Sequence, residues 1–583
     1  RALIKLDDRN PMLSNSYNFK REYATRSFNT VYASFDIWKG IKFASTFSYD
    51  FVMNKSRAWK DPRTSDGDDD NGRFSKDYND ITNMTWSNIL TYQTKIKKKH
   101  NLDLLAGYEI NSKESDGLGT TISNFARWDK PEVNNGVVYQ SMGGSNSTTR
   151  IVSYITRANY DYDNKYYLGA SWRTDGSSRL ARENRWGNFW SLSGAWRVSS
   201  ESFMKPLQNW LSDLKLRVSY GVNGTLPSSY YGYMGLSSLT SNYNDNPGIT
   251  QSQLENKELT WETNYNFNSG IDLGFFDNRL NVTFEYYVRT TKNLLYSRPL
   301  SLATGFSSYL ANIGKLQNKG YELEIRSTNI ETKDFRWSTS LNLGHNANKI
   351  LKLDGDLKQV TSGTSIHKVG LPYSTYYMIE FAGIDPVDGE PMFYKNTTDE
   401  NGNLNKETTK DPRSAEKVIL QCADPTITGG LGNSISYKWF DLNFNVNFSF
   451  GAWNYDGAAG KLEHGGDGTL NIPIYYRKRW QKEGDETSIE RFVVGRSISM
   501  TDYATTRRLY SGDYVRLKNL TFGFTLPKTW TRKVGIDNIR LYASGNNLLT
   551  WAAYDYIDPE SGSSPSWDTP PMRTYTFGLE VKF

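Results

Sequence analysis

The sequence predicts an all-β protein, a transmembrane antiparallel β-barrel with long extracellular loops, from two alternating segments and an aromatic-rich composition. Residues 440–450 place apolar side chains at every even position and polar side chains at every odd position. Because the side chains of a strand point alternately to its two faces, this segment has one apolar and one polar face. It is also about as long as a tilted strand that crosses a bilayer. Residues 575–583 alternate in the same way and end on Phe583, as the last strand of a bacterial outer-membrane barrel does.

The composition favours a barrel over a helical membrane protein. Only 37% of the 583 residues are hydrophobic, yet 14% are aromatic, with 39 Tyr, 17 Trp and 47 Gly. No continuous apolar run is long enough to cross a bilayer as a helix. Abundant Tyr and Trp fit the aromatic girdles at the two membrane interfaces of a barrel. A large secreted β-sandwich or propeller has a similar composition and stays an alternative at this point.

The charge and the rare residue types argue against several other functions. The net charge of +6 is small for this length, and the one basic run, 95–100, is typical of a solvated turn, so we expect no nucleic-acid partner. The single cysteine, Cys422, cannot form an internal disulfide, and the four His contain no His-x-x-x-His pair that would indicate zinc. The chain lacks a nucleophile elbow and a phosphate-binding loop. We therefore expect no enzyme activity and no cofactor.

Amphipathic segments recur along the whole chain and predict about 17 strands. Their predicted spans are 27–35, 41–54, 83–94, 100–113, 151–161, 165–173, 186–197, 214–222, 260–274, 279–291, 316–328, 335–348, 427–437, 440–455, 514–526, 539–551 and 575–583. An odd number cannot complete a single-chain bacterial barrel. Large outer-membrane transporters have about 22 strands and a plugged lumen, so we expect about five strands and a plug upstream of Arg1.

The links between the predicted strands alternate in length, as they do in outer-membrane barrels. The short links are 38–40, 161–165, 276–278 and 438–439, and the long ones are 55–82, 114–150, 223–259, 349–426, 456–513 and 552–574. Counting backward from a periplasmic Phe583 places the short links in the periplasm and the long links outside. Two further periplasmic links, 198–213 and 527–538, are predicted to form short helical caps. On this count residues 1–26 belong to an outer loop.

Several motifs between about residue 150 and the end carry a family resemblance. They are 172–179, 186–191, 195–197, 201–204, 214–221, 312–314, 318–322, 382–386 with Gly389, 514–520 and 544–551. Together they resemble the SusC/RagA family of TonB-dependent outer-membrane transporters, so the chain is identified as the C-terminal portion of one such barrel. From this resemblance we expect that the N-terminal plug, the TonB box and the first strands of a full member are absent from this chain.

The resemblance implies an active importer in the outer membrane of Bacteroidetes. It implies uptake of oligosaccharides or oligopeptides, a SusD-like surface lipoprotein that closes over the barrel as a lid, and energy supplied by the inner-membrane TonB–ExbB–ExbD system through the absent N-terminal region. Two alternatives stay open: a passive porin, and a surface-exposed binding or adhesin barrel. The three loops 223–259, 349–426 and 456–513 are too long for hairpin links, and we expect them to contact the lid.

Candidate contact residues for the substrate or the lid lie in these loops and at one strand end. Arg173, Asp175 and Arg179 lie in a charged run that could line the rim, or could pair locally around a turn at Asp175 and Gly176. Aromatic rings stack on sugar rings, which makes two tyrosine clusters candidates. The two clusters are Tyr230, Tyr231 and Tyr233, and Tyr373, Tyr376 and Tyr377. These rings could equally anchor their loops.

An acidic run and an aromatic segment complete the candidates. Asp66, Asp68 and Asp70 suggest a calcium loop, but their spacing fails the EF-hand pattern because the Gly falls one place late. A disordered acidic surface loop is the alternative. Residues 472–480 predict a short amphipathic helix whose aromatic side chains pack against the barrel wall.

Overall fold

The computed structural model describes residues 11–583 except 245, 354, 356, 400–401, 467–471, 495–502, 555 and 562–569. Within this part of the chain, no helix is long and apolar enough to cross a membrane. Strands dominate instead, and 17 of those described join into one large sheet. A single sheet of this size excludes both the sandwich and the propeller.

Each strand of the large sheet pairs with the next strand along the chain, so the sheet is an antiparallel meander. The strands are Phe19–Trp38, Ile41–Lys60, Arg73–Ile96, His100–Phe125, Gly136–Tyr162, Tyr166–Ser177, Trp186–Arg197, Leu211–Thr225, Glu262–Phe275, Leu280–Lys292, Lys315–Glu331, Phe335–Lys352, Ile427–Tyr437, Phe440–Phe450, Tyr514–Thr525, Asn538–Ala552 and Thr574–Lys582. All 17 predicted strands are present, and the spans 186–197 and 427–437 are matched to the residue.

The largest errors in the predicted spans concern strands that continue well past their apolar alternation. Observed strands Arg73–Ile96, His100–Phe125 and Gly136–Tyr162 replace the predicted spans 83–94, 100–113 and 151–161. The added parts are rich in Gly and polar residues, and their apolar residues, such as Phe74 and Ile122, do not alternate regularly, so hydrophobic periodicity could not reveal them. The backbone ladder nevertheless continues, and Ser75 and Thr121 hydroxyls lie 2.9 Å apart across it. The links 55–82 and 114–150 are therefore mostly strand, not loop.

The start of the chain also differs from the prediction. Residues 1–26 were expected to form an outer loop, and residues 1–10 lie outside the described part. Residues Pro11–Tyr17 form a helix, and the first strand begins at Phe19 instead of residue 27. The residues that follow Phe19 are Lys20, Arg21 and Glu22. Because all three are charged, apolar periodicity does not reveal this part of the strand.

Short elements give the links a structure of their own. The small strands are Leu236–Tyr243, Asn246–Gln253, Leu295–Pro299, Ser308–Asn312, Gln359–Ser362, Ser365–Lys368, Thr375–Ile379, Phe381–Ile384, Pro391–Tyr394, Thr408–Thr409, Lys417–Cys422, Trp453–Tyr455 and Leu509–Ser511. The remaining helices are Val133–Asn135, Val198–Ser200, Ser202–Leu207, Leu302–Thr304, Pro412–Ser414, Gly457–Leu462, Ile474–Lys478, Thr506–Arg508, Lys528–Thr531, Arg532–Val534 and Pro559–Ser561. The two helical caps in 198–213 and 527–538 and a short helix in 472–480 are thereby confirmed.

The chain divides into two compact units by its internal contacts. The first comprises 1–194, 219–266 and 291–314, and the second comprises 195–218, 267–290 and 315–583. In the first unit, one hydrophobic cluster contains Trp59, Phe74, Ile122 and Phe125, and another contains Leu180, Phe189, Leu259 and Trp261. In the second, the clusters contain Val198, Met204 and Leu211; Tyr376, Met378 and Leu509; and Ile379 and Phe393. Buried apolar residues thus gather near the strand ends and in the links.

The two faces of the strand Phe440–Phe450 carry different chemistry, as the alternation predicts. On one face, Asn445 lies opposite Gly432, which lies opposite Ser340 on the next strand. This row continues the polar face, which we define by Asp441, Asn443, Asn445 and Asn447. On the other face, the Phe440 ring stacks on Phe524 at 4.9 Å between centroids.

The face assignment predicts the effect of a charge at position 444. Phe444→Arg should lower the free energy of unfolding by roughly 2–4 kcal/mol if this apolar face meets lipid near the bilayer midplane. The matched control is Asn445→Arg on the polar face, which should change it little. Denaturant unfolding of each variant in lipid vesicles measures both values. Equal costs for the two variants would contradict the assignment.

Candidate functional site

Two long links of the second unit, 349–426 and 456–513, are joined by specific contacts. The Trp480 indole donates a hydrogen bond to the Pro386 carbonyl at 3.0 Å, and the Arg491 guanidinium donates to Glu390 at 2.7 Å. Gly389 has a φ of 72°, and a Cβ there would lie 2.5 Å from the Trp480 ring. Only glycine fits this approach without strain. The two links therefore form one interlocked structure, which we call the paired loops.

Buried charges form the polar core of the paired loops. Arg507 forms an ion pair with Glu490, which is fully buried, and Arg508 contacts Glu463 at 3.3 Å. Tyr476 donates its hydroxyl hydrogen to Glu490 at 2.9 Å, and the Tyr475 hydroxyl donates to Glu463 at 2.7 Å. Every carboxylate in this group thus has both a cation and a phenol partner, as buried charges require.

The phenols of this core stay protonated. Burial, followed by the nearby Glu490 carboxylate, raises the pKa of Tyr476, and burial with the hydrogen bond to Glu463 raises the pKa of Tyr475. A neutral phenol can donate to the carboxylate at any physiological pH. The arrangement is suited to holding loops in place.

The second tyrosine cluster divides between the core and the surface. Tyr376 is only 3% exposed and packs with Met378 and Leu509, and its hydroxyl donates to the Trp453 carbonyl at 3.2 Å. Tyr373 is 39% exposed and stacks on His367 at 4.2 Å. Tyr377 is partly buried in the strand Thr375–Ile379. Tyr376 is thus placed as an anchor, and Tyr373 is the member of this cluster with a ring open to solvent.

The first tyrosine cluster contacts neighbouring segments as well as its own loop. Arg179 lies over the Tyr230 ring at 4.3 Å, and the Tyr231 hydroxyl accepts a hydrogen bond from the Thr148 backbone N–H at 3.0 Å. Tyr233 packs against a hydrophobic cluster that includes Leu259. Part of each ring is nevertheless exposed, so contact with a substrate or a lid stays a prediction for all three.

The charged run at 173–179 pairs locally. Arg173 donates to Asp175 at 2.8 Å and to Ser153 at 2.9 Å, while Arg179 donates to the Pro227 carbonyl at 2.9 Å. The expected turn at Asp175 and Gly176 is wrong, because both residues belong to the strand Tyr166–Ser177 and the chain turns after it. Asp175 and Gly176 pair with Ser153 and Val152 on the preceding strand, and this pairing keeps the backbone extended.

The acidic run at 66–70 is held by neighbouring side chains. Asp66 accepts a hydrogen bond from Asn18 at 3.0 Å and lies 3.6 Å from the Lys60 amine, and Asp70 lies 3.4 Å from Arg73. Turn hydrogen bonds such as Asp68 N–H to the Thr64 carbonyl at 3.0 Å give this segment a defined fold, so the expectation of disorder is wrong. Across the described residues, no group of three His, Cys, Asp or Glu could hold a metal ion.

Sequence reasoning missed the most buried polar residues of this site. The adjacent residues Arg507 and Arg508 are well separated in sequence from Glu463 and Glu490, and none of the four belongs to a motif. A charged residue in a polar loop normally indicates solvent exposure, so one sequence offers no signal that these four meet in a core.

The buried pair predicts a large effect of removing one charge. Arg507→Met leaves Glu490 buried without its cation and should destabilise the paired loops by about 3–5 kcal/mol. Hydrogen exchange of peptides from 456–494 measures the loss of protection. The control is Lys395→Met, which removes an exposed ion pair with Glu407 and should change exchange by less than about 1 kcal/mol. Equal protection in both variants would contradict a polar core.

Comparisons with known proteins agree with this architecture. Residues 4–548 match the family model for the TonB dependent receptor-like β-barrel. The chain is 32% identical to the TonB-dependent receptor P3 of Formosa agariphila, over 95% of this chain and 57% of that protein. It is 30% identical to the TonB-dependent receptor SusC of Bacteroides thetaiotaomicron, over 74% of this chain and 44% of that protein.

A solved structure gives the corresponding match in three dimensions. The structure of the RagAB peptide transporter superposes with a TM-score of 0.88 at 27% identity, covering 97% of this chain and 63% of the matched chain. The chain therefore spans less than two thirds of the length of these relatives. Because the family model covers most of the chain and the fold matches, this chain belongs to the TonB-dependent receptor-like β-barrel family of outer-membrane proteins.

Proposed function

We propose that this chain is the barrel portion of an active outer-membrane importer of oligosaccharides or oligopeptides. In this proposal, a SusD-like surface lipoprotein closes over the outer loops as a lid, and TonB–ExbB–ExbD supplies the energy. The observation that carries the proposal is the match to RagAB over nearly the whole chain, loops included. RagAB is a peptide transporter, and SusC is a relative at 30% identity.

The loops also favour an importer over a passive porin or an adhesin. A diffusion pore needs an open outer mouth, whereas the paired loops here carry buried ion pairs and their own apolar clusters. Links of this length with structure of their own are uncommon, and those that occur generally have a binding function.

Energised import predicts a dependence on TonB. In the native host with the full-length protein and its lid lipoprotein, growth on oligopeptides or oligosaccharides as the limiting nutrient should fall to the level of the transporter deletion when TonB is inactivated. The full-length protein should also be closed in a planar bilayer. Unchanged growth without TonB, together with open-channel conductance, would support the porin instead. Growth on one nutrient class only would identify the substrate class.

Lid docking predicts a role for an exposed hairpin in the link 226–261. Its strands, Leu236–Tyr243 and Asn246–Gln253, present Leu239, Tyr243 and Ile249 at 68%, 85% and 72% exposure. Apolar side chains this exposed indicate a contact surface. The loop 349–426 is less suited to a deletion test, since removing 355–415 would also remove the buried Tyr376.

Replacing Leu239, Tyr243 and Ile249 together by Ser should weaken co-purification of the lid lipoprotein by tenfold or more, because hot-spot truncations cost about 2 kcal/mol each. Heat-modifiable gel migration of the barrel should stay unchanged. The control carries Leu239→Met, Tyr243→Phe and Ile249→Val, which keep the surface apolar and should retain the lid. Full lid recovery with the Ser variant would exclude this hairpin as a docking surface.

A further inference from the structure

The segment 553–561 follows the strand Asn538–Ala552, and the structure describes all of it except 555. It is fixed by the side chains at 554, 556, 558 and 560. Tyr554 stacks on Tyr510 with centroids 3.9 Å apart and planes 7° apart, and its hydroxyl donates to Asp456 at 2.9 Å. Tyr556 meets the edge of Tyr475 at 5.6 Å. These aromatic contacts attach the first half of the segment to the link 456–513.

A charge cluster attaches the second half. Arg516, which is 1% exposed, donates to Asp558 at 2.6 Å, to Glu560 at 2.7 Å and to Thr550 at 3.0 Å. The Lys518 amine adds a second contact to Glu560 at 2.7 Å. We call Arg516, Lys518, Asp558 and Glu560 the clasp. Two cations thus face two carboxylates, and all four charges are neutralised within it.

The register shows which side of the sheet the clasp occupies. Arg516 lies opposite Asn447 on one neighbouring strand and opposite Thr550 on the other. Asn447 belongs to the polar face defined above. In outer-membrane barrels the polar face lines the lumen and the apolar face meets lipid. A segment that reaches Arg516 therefore folds inward over the lumen wall, at the strand end away from the helical link 528–534.

The segment is held by side chains more than by its backbone. Among the described residues, the first residue of the segment donates a backbone hydrogen bond to the rest of the chain, from the Ala553 N–H to the Asp513 carbonyl at 2.9 Å. The others are local, such as Ser561 N–H to the Asp558 carbonyl at 3.0 Å. It can therefore leave the wall without breaking the sheet ladder, because no inter-strand bond depends on it.

We propose that residues 553, 554 and 556–561 form a strap that the clasp holds against the lumen wall, where it narrows the outer mouth of the barrel. Opening the clasp releases the strap and widens the entrance. The inference goes beyond the proposed function, since it depends on the barrel and its polar lumen and not on the nutrient, the lid or TonB. Asp558 and Glu560 are the releasable half of the clasp, and Arg516 belongs to the wall.

The test uses the full-length protein in intact cells and in detergent. Asp558→Asn with Glu560→Gln removes both clasp carboxylates and leaves the strand residues untouched. Hydrogen exchange of peptides covering 553–561 should rise about tenfold or more, the factor expected when a few charge-assisted contacts are lost. Exchange of 514–525 and 538–552 should stay as in the wild type. The control is Glu407→Gln, which breaks an exposed ion pair elsewhere.

A second readout measures the entrance directly. Asn447→Cys, in a Cys422→Ser background, places a thiol on the lumen wall next to Arg516. A bulky polyethylene-glycol maleimide added outside should label it faster when the clasp carboxylates are neutralised, while a small maleimide should label both proteins at similar rates. If the charge variant fails to fold, Tyr554→Ala with Tyr556→Ala releases the other half of the strap and tests the same idea.

Three results would overturn the proposal. Unchanged exchange at 553–561 would show that the clasp does not hold the segment. Exchange that rises equally in the strands 514–525 and 538–552 would assign the clasp to sheet stability alone. Equal labelling by the bulky reagent with and without the clasp would show that the segment does not narrow the entrance.

Discussion

The antiparallel ladder of main-chain hydrogen bonds is the constraint on which the rest of this structure depends. In a bilayer no water is available to the peptide groups, so each strand must pair with its neighbours. Paired strands place successive side chains on opposite faces of the sheet. The sequence then determines which residues lie on the polar face and which lie on the apolar face. The segment Phe440–Phe450 is the clearest example, with phenylalanines on one face and asparagines on the other. The fold needs no large apolar core, which explains how a chain with 37% hydrophobic residues forms such an extended sheet.

Outside the membrane a strand needs no apolar face, and several strands continue there through segments without apolar alternation. Residues 143–149 of the strand Gly136–Tyr162 are Gly, Ser, Asn and Thr and have no amphipathic pattern, yet the partner strand His100–Phe125 holds the strand in register over most of its length. Once the ladder ends, each link must supply its own stabilisation. Glu490 and Arg507 do so with a buried ion pair, and Trp59 and Phe74, at the ends of two paired strands, add an apolar cluster beside the link between them. Links built this way keep a defined shape.

This division explains what the sequence could predict. Each of the 17 strands of the large sheet was predicted, because the bilayer imposes alternation within a segment such as 440–450, whereas the small strands of the links were not predicted. Strand ends were predicted correctly where the apolar pattern and the backbone pairing end at the same residue, as in Trp186–Arg197. They were predicted too early where the pairing continues beyond the apolar pattern, as in His100–Phe125. The burial of the candidate site residues was harder to predict from the sequence. Tyr376 and Tyr373 are alike in sequence, and only their partners, Leu509 and His367, decide that one is buried and the other exposed.

The same reasoning separates the charges that fix the structure from those that can move. Glu490 and Arg507 lie within one interlocked pair of loops, with Trp480 and Gly389 packed beside them, so separating the charges would require the whole loop core to open. Asp558 and Glu560 contact Arg516 from a short segment with little backbone support, so separating them requires only that the segment leave the wall. A buried ion pair is weak evidence for stability by itself, because desolvation offsets much of its attraction. What decides its role is the cost of moving the backbone that carries it, and by that measure the clasp is better placed to open than the charge cluster of the paired loops.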